Sequence, residues 1–170
     1  MAWCGGEQPY ERIENVRIGW PSINHLGDGR EVVISHAGID TPLHMVRRDA
    51  GTGTWEDSDL PNYAVLDDGV TTVGNLWPRA AVGGLNDEIL HVICISTPIA
   101  NGGAEYQGQD GALLYYRSMD LGDTWEMQTF PELDSSNFVN MSADAYSIHA
   151  EGGVVAFAVF NDCLLYTSDA

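Results

Sequence analysis

Ser118-Met119-Asp120-Leu121-Gly122-Asp123-Thr124-Trp125 is the stretch that decides how this chain is read. It follows the apolar run Ala112-Leu113-Leu114-Tyr115-Tyr116 and opens a further short strand, so it reads as the corner of a hairpin. Ser118 and Asp120 can bond to backbone groups of the turn. Gly122 can take a positive φ that a Cβ would resist. Trp125 folds under the hairpin, and burying roughly 200 Å2 at about 25 cal/mol per Å2 stabilises by up to about 5 kcal/mol. The pattern is a turn staple.

Two weaker copies flank it. Arg47-Arg48-Asp49-Ala50-Gly51-Thr52-Gly53-Thr54-Trp55 has Arg where Ser stands in the first pattern, and one extra residue before Trp55. Thr167-Ser168-Asp169-Ala170 has the first half of the pattern only. Working outward, three apolar anchors precede these corners: Glu31-Val32-Val33-Ile34, Glu88-Ile89-Leu90-His91 and Gly153-Val154-Val155-Ala156. Matched on those anchors without gaps, Trp20-Pro21-Ser22 aligns with Trp77-Pro78-Arg79 and with Ser142-Ala143-Asp144. The middle unit carries extra residues, assigned to the Gly/Asn/Gln-rich stretch Pro98 to Gly111. Such recurrence marks a repeat architecture. Each unit reads as a four-stranded meander, and unbroken apolar second strands such as Val154 to Phe160 predict burial on both faces.

The motif Ser-x-Asp-x-Gly-x-Thr-Trp resembles the Asp-box of the sialidase-like β-propellers. The resemblance covers roughly Gly19 to Ala170. It implies an all-β propeller of four-stranded antiparallel blades, with about 2.7 blades of a six-bladed or larger ring present. On this reading 1–18 is an N-terminal segment that could supply the outer strand of a preceding blade. Blade 1 is 19–61, blade 2 is 62–136 with the inserted loop 98–111, and blade 3, cut short, is 137–170. The box residues Asp49, Gly51, Trp55, Ser118, Asp120, Gly122, Thr124, Trp125, Thr167 and Asp169 are structural in that family. The resemblance also implies an extracellular or cell-surface setting, although Met1 to Gly6 has neither the basic end nor the apolar core of a leader.

Charge narrows the partners. Seven Arg, no Lys and 25 acidic residues give −18, a field that repels nucleic acid and anionic membrane surfaces. No apolar run is long enough to span a bilayer. Cys4, Cys94 and Cys163 form neither a disulfide framework nor a zinc spacing, and the pairs Asp67/Asp68 and Asp57/Asp59 lack a calcium-loop pattern. No cofactor and no metal are expected.

If the boxes mark one rim of the sheets, the first-strand entrances and the second-to-third-strand loops share the other. That reasoning nominates Ser22, Arg79 and Asp144 as one ligand-binding ring, with His25 further in. The plain alternative is that such positions are solvated or paired with one another. A sialidase would need an arginine cluster for the substrate carboxylate and a Phe/Tyr-Arg-Ile-Pro tetrapeptide, which the chain lacks; Leu76-Trp77-Pro78-Arg79 has the wrong order. The expected function is therefore a non-catalytic module binding glycan or protein at its rim. A fragment of an exo-sialidase-like glycoside hydrolase is the first alternative, and a structural or assembly propeller without a small ligand the second. Open sheet edges add an expectation of self-association.

Overall fold

The structure, a computed structural model, describes residues 19, 21–36, 38, 41–61, 64–65, 72–130 and 146–159. The segment 1–18, Trp20, Asp67, Asp68, Asp144, Cys163, Thr167 and Asp169 lie outside them. The described chain is all-β, built from antiparallel sheets. Strands β1 (Ser22–His25), β2 (Glu31–His36), β3 (Leu43–Arg48) and β4 (Trp55–Asp59) form a four-stranded meander, sheet I. A small hairpin follows, β5 (Ala64–Val65) with β6 (Thr72–Val73). Strands β7 (Asn75–Gly83), β8 (Ile89–Ser96), β9 (Leu113–Ser118) and β10 (Glu126–Thr129) repeat the meander as sheet II. A hairpin of β11 (Tyr146–Glu151) and β12 (Val154–Val159) comes last.

The sheets stack face to face in chain order. β7 packs against β1 and β2 on one side and against β11 on the other. Residues of β8 alternate between two cores. Leu90, Val92 and Cys94 join Val32, Ile34, Leu43 and Met45 of sheet I, while Ile93 and Ile95 join Tyr146 of β11. Burial on both faces explains the unbroken apolar run of β8. The same pattern on β12 has a different outcome. Phe157 and Val159 pack toward sheet II, but Val154, Ala156 and Ala158 are exposed, because among the described residues only one face of this hairpin is covered.

Strand pairing also revises the repeat register. His25 pairs with Glu31 and Gly83 with Ile89, so both hairpins close around five residues and equivalent positions differ by 58 (83 − 25, 89 − 31). The ungapped anchors gave 57. The left-handed turn residue confirms the shift: Gly29 has φ 89° and Asp87 φ 53°. A slip of one residue exchanges the faces of a strand. Ser22 is thus the counterpart of Ala80, and Arg79 that of Pro21.

Candidate functional site

The second corner is built from its own residues. The Asp120 carboxylate accepts from the Thr124 amide at 2.8 Å, from the Thr124 hydroxyl at 2.6 Å and from the Ser118 hydroxyl at 2.7 Å. The Ser118 Oγ accepts from the Gly122 amide at 2.7 Å. Gly122 sits at φ 100°, and the Trp125 indole N–H donates to its carbonyl at 3.1 Å. The Trp125 ring meets Tyr116 edge-on against the inter-sheet core. These bonds hold the Asp120 carboxyl down at about 2, the Thr124 hydroxyl contributing most.

The first corner reaches a similar end by different contacts. Asp49 accepts from the amides of Gly51 and Thr52 and from the Thr52 hydroxyl, three residues on, and not from Thr54. The Thr52 hydroxyl lowers the Asp49 pKa most, followed by the Thr52 amide. The extra residue puts the left-handed glycine at Gly53, φ 72°, and not at Gly51. Trp55 is half-buried, and its buried indole nitrogen has no partner, unlike that of Trp125.

In a meander, successive turns alternate between the two ends of the sheet. The corners therefore share an end with the β1–β2 and β7–β8 hairpins. A shallow concavity of about 200 Å3 lies between them on sheet I, lined by Asp28, Arg30, Arg48 and Asp49. Its cations are engaged: Arg30 pairs with Asp28 at 2.7 Å and Arg48 with Glu31 at 3.5 Å. Neighbouring hairpins are tied together at this end. The Gly27 amide donates to the Asp87 carbonyl at 2.9 Å, and the Gly84 amide to the Gly152 carbonyl.

The nominated ring residues fall in different places. Ser22 Oγ accepts from the Ala80 amide at 3.0 Å and donates to the Ala80 carbonyl at 3.4 Å, so its hydroxyl stitches β1 to β7. Arg79 is half-buried in the middle of β7, because that strand begins four residues earlier and runs through a bulge between Leu76 and Arg79. The bulge contains Trp77 at φ 55°, whose carbonyl accepts from the Tyr146 hydroxyl. His25 is exposed and pairs with Glu31, at the opposite end of β1 from Ser22.

The end opposite the corners carries the β8–β9 connection, residues 97–112. It is a built structure. Ile99–Asn101 form a single 3-10 turn, and the Asp110 carboxylate accepts from the Ile99 amide at 2.7 Å. Tyr106 and Gln109 exchange backbone hydrogen bonds around Gln107 and Gly108, both at positive φ (52° and 74°), as in a primed hairpin turn. Gln109 is buried and donates to the Phe130 carbonyl at 3.2 Å, while Tyr106 packs on the inter-sheet core, which raises its phenol pKa. The excursion is anchored by Thr97 N–H to Gly74 C=O and by Ser96 with Ala112.

Two polar features were not legible in the sequence because they depend on cross-strand register. His44 Nδ1 lies 2.9 Å from Asp59 on the neighbouring strand, leaving its buried Nε2 without a partner. His91 Nδ1 lies 2.7 Å from the Tyr115 hydroxyl, with the rings stacked. Burial lowers the His91 pKa, Arg117 adding to it. Cys94 is a fully buried thiol, its pKa pushed well up by desolvation. No group of three His, Cys, Asp or Glu among the described residues could hold a metal ion. Compared with known proteins, the chain matches no family model and no curated sequence.

Proposed function

We propose that this chain is a run of Asp-box β-propeller blades acting as a non-catalytic binding module, extracellular in setting. Its ligand, a glycan or protein surface without dense negative charge, is taken at the end of the sheets opposite the boxes. One observation carries the site: the 97–112 excursion is pinned by the Asp110, Gln109 and Thr97 contacts, whereas the equivalent β2–β3 connection spans only 37–42. A loop ordered before binding loses less entropy on complex formation. Its charged residues are Glu105 and Asp110, and Asp110 already serves Ile99; Asn101, Gln107 and Ile99 are left exposed to a partner. The blade reading is supported by two successive meanders of identical strand order and by a backbone hydrogen bond that ties each hairpin to the next.

The test is a screen of the purified chain against neutral and acidic oligosaccharides and fluorogenic glycosides. A second arm replaces 100–108 by a short glycine turn. Saturable binding that is lost with the loop supports the proposal. Turnover of a glycoside overturns the non-catalytic assignment, and binding that survives loop replacement moves the site elsewhere.

A further inference from the structure

The first position of each corner does two different jobs. In the second corner Ser118 uses its hydroxyl inside its own turn, on the Gly122 amide and the Asp120 carboxylate. In the first corner the same position is Arg47, which has no acceptor to offer. Its guanidinium leaves its own corner and crosses to the next sheet. There Nη1 donates to the Leu121 carbonyl at 2.8 Å and pairs with the Asp123 carboxylate at 2.7 Å. The Arg47 side chain is only 14% exposed. On its own sheet it has Glu56 at 3.9 Å, at the limit of an ion pair.

The same junction is tight in a second way. A Cβ on Gly122 would lie 2.8 Å from the Met45 sulfur, two residues before Arg47 on β3. The second corner therefore rests on β3, with a backbone carbonyl and a carboxylate presented to one guanidinium. Nη1 alone faces both acceptors, while Nη2 lies toward Glu56 and the buried Nε has no hydrogen-bond partner.

We propose that Arg47 is an inter-sheet latch: at the first position of the corner it replaces a staple within one turn by a clamp on the corner of the next sheet. The clamp couples sheets I and II, so the second corner is held in shape partly by the first sheet. This holds whether or not the sheets belong to a closed ring.

The experiment is a double-mutant cycle on the whole chain with Arg47→Ser and Asp123→Ala, read by urea unfolding and by amide exchange. The expected coupling is about tenfold in the unfolding equilibrium constant. Amides of Gly122, Asp123 and Thr124 should exchange about tenfold faster in Arg47→Ser, beyond any change at the β11–β12 hairpin. Arg47→Lys, which keeps charge and most of the volume, should retain only part of the protection, and with Asp123→Asn it supplies the cycle if Arg47→Ser does not fold. Additive losses, together with unchanged exchange at the second corner, overturn the latch.

Discussion

Asp120 shows how one carboxylate can fix a corner: three donors converge on it, and two of them come from Thr124. Asp120→Ala leaves the Thr124 amide without its acceptor and is expected to cost about 1–3 kcal/mol. Chemical denaturation with an unchanged m-value would measure it. Because the folded-state pKa is depressed to about 2, the stabilisation is full above the unfolded value near 3.8 and is lost as pH falls from there through 2. Asp120→Asn should flatten that acid limb of a melting-temperature profile. His91 has the same sign in a higher pH window, from a different cause. Its folded pKa lies below 6.5 because burial disfavours the imidazolium, so the unfolded chain takes the proton first. Stability should decline as pH drops below about 6.5, and His91→Gln should remove part of the decline between pH 7 and 5. A profile unchanged by that substitution would assign the loss to other groups.

At the scale of elements, the junctions between hairpins depend on glycine. A Cβ at Gly27 would lie 1.5 Å from the Asn86 carbonyl oxygen, so Gly27→Ala must separate the β1–β2 and β7–β8 turns and break the hydrogen bond to Asp87. The expected loss is about 2–4 kcal/mol, with faster exchange at the turn amides of 27–29 and 84–88. Gly29→Ala is a control for backbone strain alone, since nothing lies within 4 Å of its Cβ position although its φ is 89°. Corners and strand types were legible in the sequence because their defining contacts span only a few residues: Asp120 reaches Thr124, and Asp49 reaches Thr52. The register between units was not. Glu31 and Glu88 look equivalent, yet Glu31 pairs with His25 and Ile89 with Gly83, so Ile89 is the counterpart of Glu31, because turn geometry and not residue identity fixes which residues pair.

For the whole molecule, a formal charge of −18 acts on a compact stack of sheets. Self-repulsion of that size is screened over about 10 Å at 0.1 M salt. Raising NaCl from 0.05 to 0.5 M is expected to raise the melting temperature by several degrees, even though the Arg47–Asp123 pair weakens. A fall in melting temperature would mean that specific ion pairs outweigh the net field. The sequence by itself determined the strands, the acidic corners, the place of the long loop and the sign of the surface charge, since each rests on local periodicity or on composition. Only the tertiary structure decided that Ser22 and Arg79 are not equivalent, that His25 lies at the other end of β1, and that Arg47 belongs to the next sheet's corner. Arg47 and Leu121 are 74 residues apart in the chain. A contact of that kind exists only once two sheets have stacked, and no local pattern encodes the stacking register.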